Sequence, residues 1–250
     1  MTDRTDPTDP AEVSDPAEVP DPAEVTAGSL RGWTGVQPPR RETITGTFVD
    51  LVPLDPAAHG DDLFAASTAE GADERFAYLP ETPPRDRGEF GAWLDSAAAS
   101  TDPLFFAVVD RATGRAEGRQ ALMRVDAANG VIEIGNILWG PALSRTRGAT
   151  EAFYLAADGA FAAGYRRFEW KCNDDNVPSK RAAARFGFTH EGLFRQHMVV
   201  KGRNRDTAWF AIIDSEWPAL RRGFTRWLAP ENFDDDGRQL RRLEEFLRPD

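Results

Sequence analysis

The chain is poor in the residue types from which several kinds of site are built. Cys172 is the only cysteine in 250 residues, which excludes an internal disulfide and any metal centre made of several thiolates. The three histidines, His59, His190 and His197, have no ligand-like spacing, so no metal is expected. No apolar run approaches the roughly 18 residues of a membrane span. The opening MTDRTDPTDP has neither a basic n-region nor an apolar h-region, so neither a membrane nor secretion by a signal peptide is expected, and the cytoplasm is the expected compartment. No basic face is evident on a chain of formal charge −11, which argues against nucleic acid as a partner.

The acidity is concentrated. The first 25 residues carry eight Asp or Glu against Arg4 alone, a charge of −7, and DPAEV occurs at Asp9, Asp15 and Asp21. Such a proline-broken tract has little to bury, so residues 1–40 are expected to form a disordered acidic tail, a solubilising segment more than an interaction arm. The remainder is rich enough in apolar residues for one sizeable core.

Periodicity then divides the chain. GTFVDLVPL (Gly46–Leu54) alternates like a strand and DPAAHGDDLFAAS follows as a first helix; a second is expected near Gly88–Ala99, with Phe90, Trp93 and Leu94 on one side. Leu104–Asp110, Glu117–Asp126 and Val131–Trp139 read as an antiparallel meander with turns at RATGR and AANG. A helix from about Arg147 to Gly164 leads to RRFEWKC, where Phe168, Trp170 and Cys172 face one way and Arg167, Glu169 and Lys171 the other. A short helix capped by Asn176 and stopped at Gly187 comes next, and LFRQHMVV, KGRN and DTAWFAIID read as a final hairpin. The expected fold is α+β, a mixed and mostly antiparallel sheet flanked by helices, in one domain over 41–215. A helical extension is expected over 216–250, where Leu240, Leu243, Phe246 and Leu247 share a face that would dock on the domain or serve a dimer.

SRTRGATEAFYL (Ser144–Leu155) sets two arginines, two hydroxyl residues and a glycine where a strand gives way to an alanine-rich helix. A helix N-terminus exposes unpaired N–H groups and partial positive charge, so the stretch points to a bound anion.

EIGNILW followed by ATEAFYLAADGAFAAGYRRFEWKCNDDNVPSKRAAARFGFTHEG resembles the GCN5-related N-acetyltransferase family, particularly its RimJ/RimL-like branch, over roughly Glu42–Ser215. The resemblance implies acetyl-CoA as cosubstrate and a primary amine, on a small molecule or a protein N-terminus, as acceptor. In such enzymes the strand-to-helix turn holds the pyrophosphate, here Arg145, Thr146, Arg147, Gly148, Ala149 and Thr150. The family's glycine pattern is met at Gly148 in a register from Arg145 and at Ala149 in one from Ser144, and fully in neither. The pantetheine arm would lie along Ile137, Leu138 and Trp139. Asn176 would reach the same arm or simply cap its helix, and Ser179 would protonate the departing thiolate or complete the helical turn. Ala183 stands where many relatives have an acidic tyrosine.

Direct attack of an amine on a thioester needs positioning and one proton acceptor. Glu133 is the candidate base, acting through water; the alternative is a strand residue paired with Arg124 or Arg119. Trp170 and Cys172 are expected to pack, Trp139 packs or walls the acetyl pocket, and Trp209 packs or lines the acceptor groove. The acceptor would be chosen by the loop near Arg75–Gly88 and by the final hairpin. Two functions stay open: an N-acetyltransferase, monomeric or homodimeric, and a non-catalytic acyl-CoA-binding or interaction module.

Overall fold

The computed structural model describes Leu30 and residues 32–247; the acidic repeat lies outside them. The chain divides into two units, 1–34 and 35–250. In the first, the Trp33 N–H donates to Leu30 O at 2.9 Å. The second runs β1 (Ile44–Thr45), β2 (Val49–Pro53), α1 (Pro56–Thr68), α2 (Ala72–Phe76), α3 (Arg87–Ala99), β3 (Leu104–Asp110), β4 (Ala116–Asp126), β5 (Val131–Trp139), α4 (Arg147–Ala162), β6 (Arg167–Asn173), α5 (Val177–Arg185), β7 (Thr189–Val200), β8 (Arg203–Ile213), α6 (Trp217–Leu228) and α7 (Leu243–Leu247).

All eight strands form one sheet in the order β1-β2-β3-β4-β5-β6-β8-β7. Every neighbouring pair is antiparallel except β5 and β6, which are joined through α4 and run parallel. The fold is therefore α+β, two antiparallel blocks meeting at a single parallel crossover.

Strand alternation builds a core on each face. On β3, Leu104, Phe106 and Val108 join α4, β6 and α6 in the larger core, whereas Phe105 and Ala107 meet Leu63 of α1 and Phe90 and Leu94 of α3 in the smaller one. Phe153 of α4 anchors the larger core, fully buried and stacked at 4.2 Å on Phe186. The helices start where side chains satisfy their first amides. Asp55 accepts from Ala57 N (2.8 Å), Asp86 from Glu89 N (2.8 Å), Thr146 Oγ1 from Ala149 N (3.2 Å) and Asn176 Oδ1 from Ser179 N (3.1 Å). Glu151, buried in α4, takes the N–H groups of Thr47, Phe48 and Val49 at 2.9, 2.5 and 2.9 Å and so ties down the turn between β1 and β2.

The segments flanking the domain are bound to it more closely than composition suggests. Val36 N donates to Ala127 O (2.9 Å) and Tyr165 Oη to Gln37 O (3.1 Å), although both residues belong by composition with the tail. Trp217, Phe224, Trp227 and Leu243 of the C-terminal segment lie inside the larger core. The expected apolar stripe is shorter than its periodicity: the Asn232 backbone and side chain hold Leu240 N and Arg241 N at 2.7 and 3.0 Å, so Leu240 is outside the helix and 64% exposed.

Candidate active site

β5 and β6 part company. Their register runs Val131↔Arg167, Ile132↔Phe168 and Glu133↔Glu169, then stops, so from Ile134 to Trp139 the edge of β5 facing β6 has no strand against it. Opposite, the pairing of β4 with β5 shifts between Arg119 and Ala121, where Asn136 takes a left-handed φ of 50°. This extra residue bends β5 away at the point of divergence. The parting opens a cleft of about 430 Å³ through the sheet. Trp170, Cys172, Asn176 and Ser179 line it on the α4 side, and Glu133, Lys171, Arg124 and Arg205 also line it. Arg75, Tyr78, Leu79 and Pro80 and the tip of the β7–β8 hairpin complete its mouth. Lys201 Nζ donates to Phe76 O (2.8 Å) and Tyr78 Oη to Asp175 O (3.1 Å), tying these segments together.

Glu133 sits at the fork, 4% exposed. Its Oε2 is 3.0 Å from Lys171 Nζ and 3.3 Å from an Arg124 nitrogen. Arg124 reaches it because the β4 bulge sets its φ at 49°, a turn held by Asp102, which accepts from Arg124 N (2.7 Å) and Val125 N (3.1 Å). Burial raises the Glu133 pKa above the ordinary carboxylate range; Lys171 and Arg124 oppose that rise, and Glu169 adds to it. Arg119, the other partner weighed from the sequence, lies elsewhere: it pairs with Glu81 at 3.5 Å and stacks over Trp93, and burial lowers its pKa to about 10.

Lys171 is a buried charge at the fork that sequence reading did not single out as a site residue. Its Nζ bridges Glu133 and Glu169 (2.6 Å) and lies 3.8 Å above the Trp209 ring. Arg167 continues the chain of charge, 2.7 Å from Glu169 and 2.5 Å from Glu191. The polar face of β6 is thus an alternating ion chain running from the cleft towards the surface. Trp209 packs on it and against Phe194 at 4.6 Å.

The SRTRGATE turn forms as expected at the start of α4, but its residues diverge. Arg145, at φ 65°, is exposed and carries no ion partner among the described residues. The Arg147 guanidinium swings the other way, 3.9 Å from each of the Phe48 and Phe233 rings, and donates to Leu228 O. Gly148, Ala149 and Thr150 are buried. A Cβ at Gly148 would stand 2.9 Å from Val49 Cγ1, and the Thr150 hydroxyl accepts from Arg185 (3.1 Å). What the turn offers a ligand is backbone: among the described residues the Arg147 and Gly148 N–H groups have no protein acceptor. None of Arg145–Thr150 lines the cleft that holds Glu133.

Of the remaining expected residues, Ile137 lines the cleft, Leu138 is 2% exposed in the interior, and Trp139 packs on the larger core with its Nε1 donating to Gln120 (3.3 Å). Asn176 is the helix cap through Oδ1 and also faces the cleft; Ser179 Oγ accepts from Trp170 Nε1 at 2.9 Å. The Cys172 thiol is buried and its pKa raised by that burial, so it packs. Among the described residues no group of three or more His, Cys, Asp or Glu could hold a metal ion, and no helix is long and apolar enough to cross a membrane.

Residues 49–189 match the model of the acetyltransferase (GNAT) domain. The chain belongs to the GNAT family. A GCN5-related N-acetyltransferase structure from Brucella melitensis is 59% identical, covering 87% of this chain and 99% of that one with a TM-score of 0.86. A probable GNAT acetyltransferase from Chromobacterium violaceum is 40% identical, covering 82% and 100% with a TM-score of 0.72. The Bacillus licheniformis protein named uncharacterized N-acetyltransferase p20 is 29% identical over 117 residues, 45% of this chain and 63% of that protein's length. Within this GNAT fold the fork, the buried carboxylate and the first turn of α4 form a connected set, β5 supplying the first two and leading into the third.

Proposed function

We propose that this GNAT protein is an N-acetyltransferase of the RimJ/RimL-like kind that moves an acetyl group from acetyl-CoA to a primary amine by direct attack, both substrates being bound together. The observation that carries the reading is the fork itself: two parallel strands that separate immediately after a buried glutamate of raised pKa. Acetyl-CoA supplies an activated acyl carbonyl, and the residues present suit it. The unpaired edge of β5 accepts an extended amide-bearing arm as a strand would. The free N–H groups of Arg147 and Gly148, with exposed Arg145 beside them, suit a pyrophosphate.

The amine nitrogen forms its bond to the acetyl carbon as the carbon–sulfur bond breaks. Glu133 takes the proton released from nitrogen through water, and its raised pKa makes it a better acceptor than an exposed carboxylate. Lys171 and Arg124 hold it ionised and aimed into the cleft. Ser179, whose oxygen accepts the Trp170 N–H and whose hydroxyl bonds the Cys172 thiol, protonates the departing thiolate by turning its hydrogen from that sulfur into the cleft. The test is thiol release from acetyl-CoA across a panel of primary amines. Turnover that disappears in Glu133→Gln supports the reading; acetyl-CoA binding with no thiol release for any amine class would make the protein a binding module.

A further inference from the structure

The mouth of the cleft is basic on a chain that is acidic overall. Arg205 of β8 lines the cleft that holds Glu133 and is only partly exposed. Of the five N–H groups of its guanidinium, one is used: Nε donates to Thr207 Oγ1 at 3.2 Å. The remaining fork has no acceptor among the described residues, and no carboxylate stands within ion-pair distance. Lys201 and Arg203, at the hairpin turn beside it, line the adjoining recess with Arg205, and neither has a carboxylate partner among the described residues. Lys201 spends one hydrogen on Phe76 O, which leaves its charge uncompensated at the rim.

Three of the acids nearby are otherwise engaged. Glu133 is held by Lys171 and Arg124. Asp174 pairs with Lys180 at 2.8 Å, and Asp206 accepts from Gln196 N and Asn204 Nδ2. Asp175 lines the recess, one carboxylate against three cations. A partly buried guanidinium with an idle planar fork is suited to a carboxylate or phosphate held by two parallel hydrogen bonds. The phosphates of the cosubstrate are the other anions in the reaction. The turn of α4 that suits them contributes nothing to this cleft, whereas Arg205 and Lys201 share it with Glu133.

We infer that the acceptor amine carries an anionic group, a carboxylate or a phosphate, and that Arg205, backed by Lys201 and Arg203, binds it while the amine faces Glu133. This rests on the acetyltransferase reading and narrows its substrate class.

The test uses the full chain saturated with CoA, and matched pairs of amines: amino carboxylates against their amides, and aminoalkyl phosphates against the corresponding alcohols. Calorimetric titration is expected to show the anionic member of at least one pair binding about 10- to 100-fold more tightly, the range of one or two charge-assisted hydrogen bonds. In Arg205→Gln that preference should collapse to within about threefold, with melting temperature and acetyl-CoA affinity unchanged; Lys201→Gln should lower it partially. Equal or weaker binding of every anionic member overturns the inference, whether or not thiol is released. A loss of CoA affinity without loss of pantetheine affinity in Arg205→Gln also overturns it, by assigning the cations to the cosubstrate's phosphates. The acetyltransferase reading fails separately, through absence of thiol release across the whole amine panel.

Discussion

Replacing Lys171 with methionine removes one ammonium from between two carboxylates while keeping most of the volume of the stem. Lys171 Nζ is 3.0 Å from Glu133 and 2.6 Å from Glu169. An opposite charge at contact lowers a carboxyl pKa by about 1 to 3. Arg124 stays 3.3 Å from Glu133, and Arg167 continues to neutralise Glu169, so the net rise at Glu133 should be about 1 to 2 pH units. If Glu133 must be ionised to accept the proton, the acid limb of kcat/KM moves up by that amount. Breaking a buried pair costs about 3 to 5 kcal/mol when both carboxylates are charged, and the sign with pH follows from linkage. The folded-state pKa of Glu133 is raised, so its stabilising contribution is complete below the unfolded pKa and is lost as pH rises through the folded one. The stability deficit of Lys171→Met should therefore widen as pH rises and narrow on acidification. Thiol-release pH profiles and denaturant unfolding on either side of the limb measure both effects, with Lys171→Arg as the partial rescue. A limb that stays in place or moves to lower pH would refute Glu133 as the titrating base.

Glu133→Gln itself should cut turnover by roughly 10²- to 10⁴-fold with acetyl-CoA affinity nearly intact, read by single-turnover kinetics and calorimetry. The two arginines of the α4 turn should separate. Arg145→Ala, an exposed charge, should weaken CoA roughly fivefold without changing the melting temperature. Arg147→Ala, which loses two ring faces and the bond to Leu228 O, should cost about 2 to 3 kcal/mol of stability in chemical denaturation. Gly148→Asp should unfold the protein before it reports on phosphate, because its new Cβ meets Val49 at 2.9 Å; a well-folded variant with lost CoA affinity would contradict the packing described. Glu151→Ala should cost about 3 to 4 kcal/mol by stranding three N–H groups, and Glu151→Gln less.

Much of the architecture is local in origin and could be read along the chain. Strand alternation in LFFAVVD and VIEIGNILW, the caps at Thr146 and Asn176, and the glycine stop at Gly187, with φ 87°, each depend on a few neighbouring residues. β1 and α2 are too short, at two and five residues, to establish a period. Glu133 was singled out as a candidate because it precedes the recognisable turn on the same strand. Lys171 was not: alternation places it correctly on the face opposite Trp170, but that face reads as solvated until Trp209, some forty residues later, covers it. The packing of the Arg147 side chain was hidden for the same reason, since Phe48 and Phe233 come from distant parts of the chain to enclose it. The sequence does not show that the space beside Gly148 is taken by Val49, whose Cγ1 would stand 2.9 Å from an added Cβ.

The fork between β5 and β6 has a consequence for how long the protein lasts. A sheet bonded along every edge gains little from company, but this one keeps main-chain groups facing a slot in its middle. A molecule that enters there as a strand joins two halves of the sheet and binds the native chain alone. At a hundredfold excess over its dissociation constant it adds about 2.7 kcal/mol to the folded state. Resistance to heat and to proteases would then rise and fall with the supply of that molecule.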